Sequence, residues 1–207
     1  MFSISSIYQT LIAFSAQVVR LIRSMPRLED AEAGAEAEDD VSDDVWVMFR
    51  SAHAKYSERE AIIDPAAGVT LSYDQLYNRT TSIAGFLAQH LGGRTRHVAA
   101  LLLNGHEYIE LNFAVAHPSV RATLVKLNFR LTSHELEYIL SDSEPELLFC
   151  HRRFEPTLLA ALNNIDGVVQ NFALVWVEDA PHDGSTSRKN PECAWPQWEY
   201  SEVVGSA

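Results

Sequence analysis

The chain has 207 residues, of which 47% are hydrophobic and 10% aromatic, a composition that excludes disordered and fibrous proteins. Its net charge of −12 is concentrated in residues 29–44, which hold nine acids and no base, so the rest of the chain carries −12 + 9 = −3. The scattered lysines and arginines exclude a nucleic-acid-binding surface, and two cysteines without zinc spacing, Cys150 and Cys193, exclude a disulfide framework and favour a reducing compartment.

The first 28 residues have the composition of an amphipathic leader. They contain five serines and no acid, and their arginines lie near the end. A secretory signal carries its positive charge first, and a bilayer span needs about 20 continuous apolar residues, so neither pattern fits. An organelle transit peptide, a helix that contacts a membrane surface through residues 1–25, and a leader without a role stay open. We expect mitochondria or another organelle first and the cytoplasm second. The apolar positions at helical spacing are Ile4, Ile7, Leu11, Val18 and Ile22.

A folded domain is predicted behind the acidic segment. Residues 29–44 are too charged to bury a core, which predicts a disordered linker. From residue 45 to residue 207, short apolar runs alternate with helical patterns about a dozen residues long. This alternation predicts an α/β domain with a mainly parallel sheet and helices on both faces. The predicted strands are residues 61–64, 97–104, 121–128, 146–150 and 172–178.

The predicted helices begin at recognisable capping residues. Ser72 with Gln75, and Thr132 with Glu135, have the spacing of two capping boxes. Asn104, at the end of a strand too apolar to be half exposed, is predicted to cap the helix that follows it. Two further helices are predicted, and residues between the last strand and the last helix are predicted to form a surface loop. These segments are the helices 154–162 and 198–204, and the loop 178–195.

Three stretches in this order resemble the AMP-forming adenylating ligases, the superfamily of acyl-CoA synthetases, peptide-synthetase adenylation domains and beetle luciferases. "TLSYDQL" resembles a helix opening of that family, "HVAALLLNGHEYIEL" its buried strand ending in Asn, and "KLNFRLTSHELEYILSDSEPELLF" its most recognisable early block. The resemblance covers residues 58–154 and extends more loosely to 204. It implies that residues 45–207 form part of the N-terminal subdomain of the ligase fold.

The chain departs from the family pattern at two basic residues. Arg121 stands where the family usually has a small residue, and Lys126 where it often has proline. Both lie near a strand that the pattern would bury, so the Lys126 ammonium is expected to reach a sheet edge or a carboxylate. The alternatives are an anion site formed with Arg130, and drift under relaxed constraint.

The resemblance implies a chemistry whose central loop is not matched in this chain. Family members join a carboxylic acid to ATP, release pyrophosphate and pass the acyl-adenylate to a thiol, usually of coenzyme A, with magnesium offsetting phosphate charge. A Ser/Thr/Gly-rich loop ending in Lys holds the phosphates in the family. The nearest stretch, "DGSTSRK" at 183–189, lacks the Pro-Lys ending and precedes the predicted last helix instead of following it. We therefore expect a surface loop there, and no cofactor-binding residue in this chain.

Other catalytic patterns are also missing from the sequence. No G-x-S-x-G elbow, Walker loop, G-x-G-x-x-G fingerprint or H-E-x-x-H pair occurs, and no metal site built from His or Cys is predicted. Ser133 and His134 are adjacent on a helix and diverge by about a third of a turn, which argues against a nucleophile pair. Glu135 and Glu137 diverge similarly. No catalytic, cofactor-binding or metal-binding residue is assigned.

Three hypotheses follow from the sequence. The first is part of an acyl-CoA synthetase-like ligase, inactive by itself. The second is a non-catalytic α/β module whose apolar surface is covered by a full-length relative, another protein or a second copy. The third is a free-standing nucleotide-binding domain of flavodoxin-like layout.

Overall fold

The computed structural model describes residues 44–92, 96–165, 173–178 and 196–205. The predicted leader, the acidic linker up to residue 43, the stretch "DGSTSRK" and Cys193 lie outside the described residues. The helices are α1 Val45–Tyr56, α2 Tyr73–His90, α3 His106–Ala116, α4 Ser133–Ser143, α5 Glu155–Leu162 and α6 Tyr200–Val204, with a 3-10 turn at Arg152–Phe154. The strands are β1 Glu60–Asp64, β2 Val69–Ser72, β3 His97–Leu101, β4 Thr123–Lys126, β5 Leu147–His151, β6 Ala173–Val177 and β7 Gln197–Glu199.

Five of these strands form a parallel sheet in the order β4-β3-β5-β6-β7. The predicted parallel α/β architecture is thereby confirmed. Strands β5 and β6 lie inside the sheet and every one of their residues is buried, as their continuous apolar sequences require. Strand β4 lies at one edge of the sheet and is half exposed, which the sequence pattern did not indicate. β1 and β2 form a separate antiparallel hairpin, of which only the first strand was predicted.

The two faces of the sheet carry two different sets of helices. Leu147 and Phe149 of β5 pack with α2, α3 and α6. Leu148 and Cys150, which alternate with them along the same strand, pack with α4 and α5. Because successive side chains of a strand point to opposite faces, one apolar run supplies both halves of the core. The described part of the chain has no helix with the combination of length and hydrophobicity that a membrane crossing requires.

Both predicted capping boxes are confirmed. The Gln75 amide donates to the Ser72 hydroxyl (3.2 Å) and the Ser72 amide donates to Gln75 Oε1 (2.9 Å). The amides of Glu135 and Thr132 make the same reciprocal pair, at 3.4 and 2.8 Å. Each side chain satisfies a backbone donor that the first helical turn leaves unpaired. Because the motif involves only residues three positions apart, it can be predicted from local sequence.

Two helix starts differ from the prediction. The N-cap of α3 is Gly105 and not Asn104, and glycine has no side chain that could accept a hydrogen bond from the helix. Instead, the His106 amide donates to Asp64 Oδ2 at the end of β1 (3.1 Å), so a distant segment supplies the cap. The last helix begins at Tyr200 and not at Trp198, because Trp198 pairs with β6 as part of strand β7.

Candidate functional site

The order of the strands creates a crevice at the carboxyl ends of β3 and β5. The chain leaves β3 toward β4 on one side of the sheet and returns to β5 on the other side. Helices that depart in opposite directions from adjacent parallel strands leave an opening there, and open α/β sheets bind ligands at this point. Residues 102–105 and the 3-10 turn Arg152–Phe154 follow the two strands. The side chains of these segments and of the first turn of α3 line this edge of the sheet.

The first turn of α3 carries a buried cluster of one histidine and two carboxylates. Asp64 Oδ2 lies 3.2 Å from His106 Nδ1, and Glu107 Oε1 lies 3.5 Å from His106 Nε2. One ligand atom from each of the three side chains lies within 4.8 Å of the other two. His106 and Glu107 are buried, and Asp64 is nearly so. We call Asp64, His106 and Glu107 the α3 cluster.

The two carboxylates of the α3 cluster have opposite pKa shifts. Burial tends to raise the pKa of Asp64, but hydrogen bonds from the His106 side chain and from the amides of Ala67 and His106 outweigh it, and the pKa lies below its ordinary value. Burial raises the pKa of Glu107, and the His106 charge offsets only part of that rise. Asp64 is thus held ionised, whereas Glu107 is ionised at a desolvation cost unless a cation is near.

A glycine leaves room for this cluster. A Cβ atom added to Gly105 would collide with Glu107 Oε2 and lie 3.4 Å from Asp64 Oδ2. A side chain here would therefore require the flexible end of Glu107 to move, whereas the distance to Asp64 is an ordinary contact.

One turn further along α3, a second buried network joins three helices. Arg79 of α2 donates from Nε (2.9 Å) and from an Nη (3.2 Å) to the two oxygens of Glu110. The Tyr200 hydroxyl of α6 donates to Glu110 Oε2. The Glu110 side chain is 0% exposed and the Arg79 side chain 17%. Burial and the neighbouring Glu110 charge raise the pKa of Tyr200 well above its ordinary value, so Tyr200 stays a donor.

On the other side of the crevice, the Arg152 guanidinium is surrounded by acids. It pairs with Glu199 of β7, and lies 3.4 Å from Glu178 and 3.5 Å from Glu155. Its planar group also lies over the ring of Trp176, 4.6 Å from the centroid. Three carboxylates around one guanidinium leave no net positive charge for a phosphate group.

The basic residues singled out from the sequence do not come together as one site. Arg121 precedes β4 by two residues and Lys126 is the last residue of β4, so the strand, about 10 Å long, separates them. The Lys126 ammonium extends over the ring of Tyr108, 5.8 Å from its centroid, at the exposed edge of the sheet. Burial lowers the pKa of Lys126 and raises the pKa of Tyr108 to about 12. Arg130 lies over its neighbour Phe129.

The helix that carries Ser133 and His134 presents an open surface and not a catalytic pair. His134 is 90% exposed, and its Nδ1 lies 3.4 Å from Glu137 Oε2. Glu135 is used in the capping box, whose hydrogen bonds from Thr132 lower the pKa of Glu135. An open depression of about 630 Å³ lies along this helix, lined by Leu131, His134, Glu135, Glu137, Tyr138, Ile139 and Ser141.

Sequence spacing did not reveal the α3 cluster, because Asp64 and His106 are 42 positions apart. The adjacent pair His106 and Glu107 was visible in the sequence, but adjacent residues on a helix do not by themselves form a metal or catalytic site. The missing signal was the carboxylate at the end of β1, which is placed by packing of the hairpin against α3.

Comparisons with known proteins agree on a family. The family model described as "AMP-binding enzyme" matches residues 49–202. An acyl-CoA ligase from Ajellomyces capsulatus is 35% identical over 96 residues, 46% of this chain and 16% of the relative. A fatty acid–[acyl-carrier-protein] ligase from Streptomyces coeruleorubidus is 35% identical over 113 residues, 54% of this chain and 21% of the relative.

Solved structures show the same fold. The luciferase-like enzyme of the mealworm Zophobas morio superposes with a TM-score of 0.62 at 15% identity, over 78% of this chain and 34% of that one. The chain spans 16 to 25% of the length of the five curated relatives it matches.

Proposed function

The chain belongs to the AMP-binding enzyme family, and from this premise we propose that it forms the N-terminal portion of a ligase that activates a carboxylic acid with ATP and transfers the acyl group to a thiol. The observation that carries the proposal is the family match over residues 49–202, and the parallel sheet has the fold of a luciferase-like enzyme. The relatives named above are ligases of acyl groups, which supports the acid–thiol reaction class.

The chemistry of the proposed reaction has two balanced steps. A carboxylate oxygen of the substrate forms a bond to the α-phosphorus of ATP while the bond to pyrophosphate breaks. The sulfur of a thiol such as coenzyme A then loses its proton to the solvent and bonds to the acyl carbon, while the bond from the acyl carbon to the AMP oxygen breaks and AMP leaves. ATP with Mg²⁺ supplies the activated phosphorus when it is bound.

The described residues do not fit a triphosphate. At the carboxyl ends of β5, β6 and β7, Arg152 is already compensated by three carboxylates. At the amino end of α3, where helix amides often hold phosphate, Asp64 accepts the first amide and Glu107 adds a second carboxylate. Both positions repel an anion. We therefore propose that this chain contributes the scaffold of one side of the ligase and does not activate ATP by itself.

Carboxylate-dependent exchange between pyrophosphate and ATP tests the proposal. The purified chain is assayed with acetate, hexanoate, palmitate and benzoate, beside a mock purification that controls for ligases of the expression host. We expect no exchange above the mock sample, while circular dichroism shows a cooperatively folded α/β protein. Exchange that depends on a carboxylate and co-purifies with this chain would show that it activates acids without further segments.

We also propose that a protein surface covers α4, as the second sequence hypothesis suggested. Tyr138 is 72% exposed and lies beside the open depression, and Phe129 is exposed nearby in sequence. Large exposed aromatic side chains beside an apolar depression are typical of contact surfaces. Of the covering chains that the sequence hypothesis allows, we propose a second copy of this chain; a full-length relative and a different protein stay predictions. Membrane contact through residues 1–25 and an organelle location stay predictions.

Light scattering coupled to size-exclusion chromatography tests the covered surface. If copies of this chain cover one another, the native chain elutes above monomer mass and Tyr138→Lys returns it to a monomer. Met48→Lys, which changes a 60% exposed side chain on α1, serves as the matched control and is expected to change nothing. A native monomer would exclude self-covering.

A further inference from the structure

The α3 cluster has the donor atoms of a metal site. Asp64 and Glu107 contribute carboxylate oxygens and His106 contributes imidazole nitrogen, with one atom from each within 4.8 Å of the others. Imidazole and carboxylate donors together suit borderline divalent ions such as Zn²⁺, whereas an all-oxygen set suits Mg²⁺ and Ca²⁺.

The two ring nitrogens of His106 have different partners in the cluster. Asp64 is ionised and can only accept, so His106 Nδ1 carries the proton and donates to Asp64 Oδ2 at 3.2 Å. Nε2 of the same ring lies 3.5 Å from Glu107 Oε1. That separation is longer than an ordinary N–H···O hydrogen bond. Either a proton or a metal ion between Nε2 and Oε1 satisfies both atoms, and Zn²⁺ titration distinguishes the two.

The separation of the two donor atoms also suits a metal ion. Bonds of about 2.0–2.2 Å at a tetrahedral angle place two ligand atoms about 3.4 Å apart. Nε2 and Oε1 are 3.5 Å apart without any movement of the side chains. On the far side of the ring, Asp64 holds Nδ1 as a second carboxylate usually does for a metal-bound histidine.

Charge and space around the cluster agree with a cation. Two carboxylates converge within a largely buried volume, and Gly105 leaves them open backbone where a Cβ atom would strike Glu107 Oε2. The guanidinium of the neighbouring network is directed at Glu110 through Nε and one Nη.

We propose that His106 Nε2 and the carboxylate of Glu107 bind a divalent transition-metal ion of the Zn²⁺ class, and that Asp64 positions the imidazole through Nδ1. This site is distinct from the magnesium that accompanies ATP, since it needs no phosphate. The ion is held by two residues of the first turn of α3, and the hydrogen bonds of Asp64 link that turn to the end of β1. The sequence predicts no such site, because it holds no local histidine pair and only the tertiary structure brings Asp64 to His106.

Zn²⁺ binding to the purified chain tests the site. The metal is titrated against the chain at neutral pH in competition with a chromophoric chelator. We expect one ion per chain, binding at least 10-fold weaker in His106→Asn and in Glu107→Gln, and binding 10- to 100-fold weaker in Asp64→Asn because that change removes the positioning carboxylate. Gly105→Ala, which fills the space beside Glu107, is expected to weaken binding as well.

The chain contains a matched control pair. His134 and Glu137 have the same residue types at 3.4 Å, but His134 is 90% exposed. His134→Asn and Glu137→Gln are expected to leave the affinity unchanged. Equal losses in both pairs, unchanged binding in His106→Asn, or absence of Zn²⁺ binding by the native chain would each overturn the proposal.

A measurement on the native chain tests the site even if the variants fail to fold. In ¹⁵N-labelled protein, Zn²⁺ is expected to shift the ring nitrogen signals of His106, assigned through contacts with its neighbours, before those of His134. A proton shared between His106 and Glu107 would instead leave the His106 signals unmoved by the metal. That result would assign the cluster to hydrogen bonding alone.

Discussion

The pair of Arg79 and Glu110 offers the sharpest test of how the described domain is held together. Arg79→Met keeps most of the apolar stem of the side chain and removes the guanidinium that donates to both oxygens of Glu110. An exposed ion pair contributes about 0.2–1 kcal/mol, whereas breaking a buried pair costs about 3–5 kcal/mol because a charge is left without its partner. Glu110 is 0% exposed, so the second figure applies.

The expected loss follows from the groups that remain. Tyr200 still donates one hydrogen bond to Glu110 after the change, which favours the lower part of that range. We expect a loss of about 3 kcal/mol in the free energy of unfolding. For a domain of this size it corresponds to roughly 6–12 °C in melting temperature. Urea unfolding followed by tryptophan fluorescence measures the change.

Two further variants separate the buried charge from the packing. Glu110→Gln in the Arg79→Met background removes the unpaired charge and is expected to restore about half of the lost stability, because the amide still accepts from Tyr200. Arg130→Met, the same substitution at an exposed arginine, is the control and should lower the free energy of unfolding by less than about 0.5 kcal/mol. A loss below about 1 kcal/mol for Arg79→Met, or no recovery in the double variant, would refute the view that a buried ion pair joins α2, α3 and α6.

Three other changes have defined outcomes. Ser72→Ala removes the cap of α2 and should lower the free energy of unfolding by about 1 kcal/mol, measured by urea unfolding; a change below a few tenths would contradict the capping box. The backbone amide and the hydroxyl of Thr132 both donate to Glu135 and lower its pKa, and Thr132→Ala removes only the hydroxyl, so the NMR titration midpoint of Glu135 should rise part of the way toward 4.5. In the native chain that contribution is fully present above pH 4.5 and is lost as the pH falls through the lowered folded pKa, and an unchanged midpoint would contradict this assignment. Burial raises the pKa of the Cys150 thiol, so in a variant with the other cysteine replaced by serine the native protein should react with a thiol reagent only on unfolding.

The cluster at α3 and the acids around Arg152 lie at the edge of the sheet where this fold class usually binds ligands. Arg152 is a cation surrounded by acids and the α3 cluster holds two carboxylates, so neither supplies positive charge to an anion. The strand order agrees with the flavodoxin-like layout of the third hypothesis, but the charges of these residues disfavour a phosphate at that edge. Ligand preference at a shared fold is thus decided by side chains and not by topology.

Local patterns in the sequence were sufficient for most of the architecture. The apolar runs of β5 and β6 specify strands buried on both faces, and the boxes at Ser72 and Thr132 specify helix starts, because each depends on residues within one turn or one strand. The family resemblance also depended on such local blocks, and the match over residues 49–202 confirms it.

Contacts between distant segments were decided only by the tertiary structure. Trp198 joins the sheet because β6 offers it a parallel partner, and α3 is capped by Asp64 of the hairpin and not by the preceding Asn104. Lys126 lies at an exposed edge because no strand follows on that side among the described residues. Hydrophobic periodicity and capping act over a few residues, so the sequence determined the elements. The burial, pairing and charge of Asp64, His106 and Glu107 depend on which elements meet, and that was decided when the hairpin packed against the helix.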